Sequence, residues 1–187
     1  MTEIIKRTLR STPEDHLVAW LAALAITIHI AESALPSPMP GVKPGLANVV
    51  TLITLSLYGW RIALWVVVLR VLVGSLVLGT FLSPTFALSA TGAICSLLAL
   101  AVLKLWSDRF RHWAVGPVGY GVAAALAHML GQFRAAYTLF VPHKALFNLL
   151  PVLMTMALVF GLVSGGIAAI VLQRIQKPVE SIELNEP

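Results

Sequence analysis

Charge is scarce in this chain, and acid scarcer still: 11% of the 187 residues are charged, and Asp15 and Asp108 are the two aspartates. Two isolated aspartates cannot build an acidic cluster that holds a magnesium-bound diphosphate. Cys95 is the single cysteine and sits in an apolar run, which excludes a disulfide framework and a thiolate metal site. It reads as a small packing residue. No Gly-x-x-x-x-Gly-Lys-Ser/Thr loop is present, so the chain cannot draw on ATP by itself. His-Glu-x-x-His zinc motifs and a plausible Ser-His-Asp arrangement are missing as well. These absences leave enzymatic activity without residue-level support, and neither a cofactor nor a metal is expected.

What is abundant is apolar surface. Hydrophobic residues make up 58% of the chain, and the mean hydropathy is +0.89, more than a water-soluble domain of this size could bury. The bilayer is therefore the expected solvent. A hydrocarbon core of about 30 Å requires about 20 apolar residues per helix, which leaves no room for a separate soluble domain. The pI of about 9.8 and the formal charge of +5 come from short basic clusters between apolar runs. Such clusters signal topology rather than nucleic-acid binding. Lys6, Arg7 and Arg10 precede the first run, but no Ala-x-Ala cleavage pattern follows it, so a retained first helix is expected.

Breaks at proline, glycine and charge clusters divide the chain into apolar runs at 16–35, 46–58, 61–82, 85–106, 115–141 and 145–173. The second run is too short to cross alone, and the positive charges arbitrate. If all six cross, nine basic residues (Lys6, Arg7, Arg10, Arg61, Lys104, Arg109, Arg111, Arg174 and Lys177) share the N-terminal side, against Lys43 and Lys144. A re-entrant second run would reverse that asymmetry. The expectation is an all-α bundle of six transmembrane helices, with both termini cytoplasmic, in a bacterial cytoplasmic (inner) membrane. It divides into a cytoplasmic segment 1–15, a membrane domain 16–173 and a polar tail 174–187 that is expected to be disordered.

In that topology Pro36 to Gly45, with four prolines and two glycines besides Lys43, is the first external loop. It could lie as a stiff lid over the bundle or act as a rigid linker. Ionisable and amide side chains inside a bilayer are costly and need a partner or a use. His29 and Glu32 share a face of the first helix, Asn48 opens the second, and Arg70 lies mid-way along the third. His128, Gly131 and Gln132 form a stripe on the fifth. Glu32, Lys43, Asn48, Arg70, His128 and Gln132 are the candidate ligand-binding residues. A buried guanidinium suits a ligand with a carboxylate or phosphate. The alternative is an internal Arg70–Glu32 pair with amide bonds between helices. Arg134, off the stripe, would snorkel to the interface. Ala19 and Ala23 on the first helix, with the alanines of the fifth, supply small-residue faces that let helices approach closely.

Several of these blocks together carry a resemblance. The run Glu32 to Asn48, ending Pro40-Gly41-Val42-Lys43-Pro44-Gly45-Leu46-Ala47-Asn48, is followed by Arg70-Val71-Leu72-Val73-Gly74-Ser75 and by Gly79-Thr80-Phe81-Leu82-Ser83-Pro84-Thr85-Phe86. With Ala127-His128-Met129-Leu130-Gly131-Gln132, they resemble the Gx transporter family, also labelled heptaprenyl diphosphate synthase component I, over about residues 16–172. That family looks related to S components of energy-coupling-factor transporters. The resemblance implies capture of a small-molecule substrate outside the cell, with Ala19 and Ala23 docking on a coupling subunit energised by partner ATPases. The synthase label implies, at most, an accessory membrane subunit, because the aspartate-rich motifs are missing. A flavin- or quinone-binding assembly partner is a third possibility. No nucleic-acid partner is expected.

Overall fold

The computed structural model describes residues 12–34, 45–110 and 114–183, with side chains through residue 175. The described chain is all helical: α1 (Pro13–Ala34), α2 (Ala47–Tyr58), α3 (Trp60–Val77), α4 (Pro84–Arg109), α5 (Pro117–Ala135) and α6 (Leu150–Glu183). A π-helical turn, Ala136–Phe140, and a 3-10 helix, Lys144–Leu149, join α5 to α6. The polar tail thus begins as a continuation of α6 through Glu183, rather than leaving the helix after residue 173. Extending an existing helix by one residue adds one backbone hydrogen bond without a new nucleus.

Local chemistry explains where the helices start and stop. At α1, the Thr12 hydroxyl accepts from the Asp15 amide (3.2 Å), while the Thr12 amide donates to the Asp15 carboxylate (2.8 Å). This is a reciprocal cap followed by Pro13 at the first helical position. Ser83 caps α4 in the same way, accepting from the Phe86 amide ahead of Pro84. α2 and α3 are separated by Gly59 alone, whose φ of 84° is strained for any residue with a side chain.

Pro13–Ala34, Trp60–Val77, Pro84–Arg109 and the stretch Lys144–Ile175 are long and apolar enough to cross a membrane. α5 has 19 residues, about 28 Å at about 1.5 Å per residue, but His128, Gln132 and Arg134 make it less apolar. Outward-facing side chains such as Leu98, Val102 and Leu105 are more than half exposed. A solvated protein would rarely tolerate such a surface, whereas lipid accepts it. The protein is therefore a multi-pass membrane protein. α2 has 12 residues, roughly 18 Å, and cannot cross alone. It lies instead at the centre, packed against α1, α3, α5 and α6, with Val49, Leu52 and Leu55 in one core and Val50 in a second beside Ala25 and Val66.

The closest helix packing is between α5 and its neighbours α4 and α6. Added Cβ atoms show how close. One on Gly121 would lie 2.7 Å from the Gly161 carbonyl oxygen, one on Gly161 2.8 Å from the Val122 Cα, and one on Gly165 2.7 Å from the Val118 Cα. Gly161 and Gly165 form a Gly-x-x-x-Gly pair, which lets two membrane helices meet backbone to backbone. Gly166 has open space around it. Gly165→Leu should therefore lower thermal stability in detergent by about 2 kcal/mol or more, while Gly166→Leu leaves the melting curve nearly unchanged; equal effects would argue against this contact.

Candidate functional site

α2 begins against its neighbouring helices, with Ala47 buried, so its first amides need partners. Leu46 precedes the helix and its side chain offers no cap. The Leu46 amide donates instead to Oε1 of Glu32, in the last turn of α1. Two residues on, Asn48 Oδ1 accepts from Arg70 Nη1 of α3 at 2.9 Å. Glu32 and Arg70 are both buried, at 5% and 7% exposure. Two helices, α1 and α3, thus converge on the end of α2 through two charged side chains.

These contacts border a cavity of about 410 Å³, within the range of small-ligand sites. Its ionisable and amide lining comprises His29 and Glu32 from α1, Asn48 from α2, Arg70 from α3, and His128 and Gln132 from α5, with serine and threonine hydroxyls such as those of Ser75, Thr85 and Ser89 between them. Val71, Leu78, Phe86, Leu88, Met129 and Phe160 give it an apolar wall. Five of the six sequence-nominated residues therefore line one cavity; Lys43, with the proline-rich segment, lies outside the described residues. Glu32 and Arg70 form no ion pair with each other among the described residues. Among the described residues, Arg70 uses one of its five donors on protein, and Glu32 one of its two oxygens.

Gly92 of α4 explains how polar side chains of α5 fit beside it. A Cβ there would lie 2.7 Å from His128 Nε2 and 2.9 Å from Gln132 Cγ. His128 Nδ1 is buried without a hydrogen-bond partner, and a polar atom left so is costly. Gly131, on the nominated stripe, turns away: its Cβ would meet Cys95 Sγ at 2.7 Å. It serves α4–α5 packing, and Cys95 is part of that contact. Arg134 is exposed, and Asn148 sits in the exposed 3-10 helix rather than within the bundle. Ala19 and Ala23 are exposed on α1, whereas Ala22 and Ala25 are buried.

Sequence reasoning missed Gly92 and the Gly161/Gly165 pair. A glycine one helix away from a polar stripe is a signal only when the helix pairing is known. The Gly-x-x-x-Gly spacing was legible but is also common in membrane helices for packing alone. Sequence reasoning also left His29 out of the nominated set, although the structure places it on the cavity wall.

Residues 21–171 match the family described as heptaprenyl diphosphate synthase component I. The chain belongs to that family. No curated protein and no solved structure matches it. The family is named for a component of the synthase, in keeping with a chain that is not itself the catalyst.

The Glu32 cap can be tested directly. Glu32→Ala should orphan the Leu46 amide, speed its hydrogen exchange and cost about 1–2 kcal/mol of stability. Glu32→Gln, which keeps an acceptor oxygen, should restore most of the protection; exchange unchanged in both variants would exclude the cap. Gly92→Val should displace His128 and Gln132, and loss of the cavity's ligand affinity with little change in stability is the expected result.

Proposed function

We propose that this protein is a non-catalytic membrane subunit that serves heptaprenyl diphosphate synthesis and binds a small polar molecule in its intramembrane cavity. Arg70 carries the reading of the cavity. A guanidinium taken out of water is strongly disfavoured unless it is paired, and this one lines a cavity with most of its donors unused by the described residues. A carboxylate or phosphate group is the natural complement. The family match supports the place in prenyl synthesis. An accessory rather than catalytic role follows from the acid content: of the two aspartates, Asp108 is exposed and pairs with Lys104 at 3.2 Å, and Asp15 belongs to the cap of α1.

A second reading is uptake, in the manner of the S components of energy-coupling-factor transporters. The exposed positions Ala19 and Ala23, followed at the same spacing by Thr27 and Ala31, favour it. On that reading all six helices cross, α2 with the help of its flanking segments, and both termini lie in the cytoplasm of a bacterial inner membrane. The α1 stripe docks on a coupling subunit bound to ATPases, and the loop carrying Lys43 covers the ligand.

Native mass spectrometry of the protein extracted from its own membranes separates the two. A soluble prenyl synthase in the complex supports the first reading; a coupling subunit with ATPases and a bound small molecule supports the second. In either case Arg70→Ala should weaken binding of the co-purifying molecule by ~30-fold or more, about 2 kcal/mol, with the fold intact. Unchanged affinity would remove Arg70 from the site. Lys43 should react with an external amine reagent in the free protein and be protected when ligand is bound; equal labelling argues for a plain linker.

A further inference from the structure

Which ligands the cavity accepts depends on both of its buried charges. Leu46 and Asn48, two residues apart at one helix end, hold the Glu32 carboxylate and the Arg70 guanidinium to the same turn. Among the described residues these are the formally charged groups of the lining, beside the histidines His29 and His128. They do not neutralise each other in an ion pair, and each keeps unused hydrogen-bonding capacity. A ligand bearing only negative charge gains from Arg70 but meets the Glu32 carboxylate in a poorly screened setting. A ligand with only positive charge has the opposite difficulty. We infer that the cavity selects a zwitterion of the α-amino-acid type: its carboxylate on Arg70, its ammonium on the second Glu32 oxygen, and a large apolar side chain along Phe86, Met129 and Phe160.

Three observations support this beyond the charge count. The anchoring residues Leu46 and Asn48 lie two positions apart on one turn, so both charges border the same part of the cavity. The remaining wall mixes hydroxyls, such as those of Ser75 and Ser89, with the apolar side chains of Phe86, Met129 and Phe160, and an apolar ligand side chain finds its complement along these last three. The α2 N-terminus favours an anion close by, and Glu32 already supplies one, so a second, unaccompanied anion gains less there. A diphosphate, with more than one negative charge and no cluster of cations to meet it, is disfavoured. The inference rests on the reading that the cavity binds a ligand, and it narrows the class.

The test uses the full-length protein in lipid nanodiscs, with thermal shift and calorimetric titration. The probes are phenylalanine, leucine and methionine, then phenethylamine and 3-phenylpropionate, which each keep one of the two charges of phenylalanine, and inorganic diphosphate. At least one amino acid should bind, and phenethylamine and 3-phenylpropionate should each bind about tenfold or more weakly than the best of them. Glu32→Gln keeps an acceptor for Leu46 while removing the charge. It should lower amino-acid affinity by about tenfold and raise that of 3-phenylpropionate, reversing the preference. Tight, Arg70-dependent binding of 3-phenylpropionate or diphosphate to the unaltered protein would overturn the zwitterion inference and leave the cavity reading standing. If no probe binds, the inference also fails, and the cavity reading is then judged by whether native mass spectrometry finds a co-purifying molecule.

Discussion

A helix of 12 residues set at the centre of a membrane bundle needs partners for its first backbone amides, and the N-terminal end of α2 organises much of the rest of this molecule. In hydrocarbon an orphaned backbone amide costs several kcal/mol, so non-helical backbone survives at depth only where protein or a polar cavity receives it. α2 is packed against α1, α3, α5 and α6, its C-terminal end passes through Gly59 straight into α3, and its N-terminal amide is received by Glu32. The buried carboxylate then makes a nearby guanidinium tolerable, and Arg70 reaches the same turn through Asn48. The polar cavity is thus a consequence of the interrupted helix rather than an addition to a finished bundle.

The bundle divides into a tight side and a looser one. On the α4–α5–α6 side, glycines bring backbones into contact, and little room remains for rearrangement. On the other side, α1 packs mainly on α3 and leaves a broad face exposed, and the packing of α3 on α4 is sparser than that of α4 on α5. The cavity lies between the two sides. Glu32, Asn48 and Arg70 come from the looser helices, His128 and Gln132 from the tight one. A bound molecule would touch both and stabilise their relation in proportion to its affinity.

Much of this arrangement was legible in the sequence because the bilayer punishes exceptions. Each helix corresponds to an apolar run bounded by Pro, Gly or charge; α3 and α5 stop at Val77 and Ala135, short of runs ending at 82 and 141, and α6 starts at Leu150 and runs on into the polar tail. Glu32, Asn48, Arg70, His128 and Gln132 stood out for the same reason: in a chain so poor in charge, every polar side chain within a run demands an explanation. What the sequence could not supply was pairing. Arg70 and Glu32 suggested a salt bridge, yet each engages α2 instead, because the orphaned end of that helix competes for them. Gly131 sat on the polar stripe by spacing, but its lack of a side chain made it the contact with Cys95. Gly92 gained meaning only once α5 lay against it.

The same competition bears on what the cavity can hold. Had Glu32 and Arg70 paired directly, the site would offer a ligand neither charge, and the remaining polar groups would favour a neutral molecule. Because the helix end holds them side by side and short of contact, both keep capacity directed to one space. Every buried charge raises the cost of the free state, and that cost is recovered only by a partner that answers both. On the proposed reading, a membrane subunit built this way would discriminate by charge pattern more than by shape. Association with prenyl synthesis or with an ATP-driven module would then be decided at other surfaces, leaving the cavity chemistry common to both.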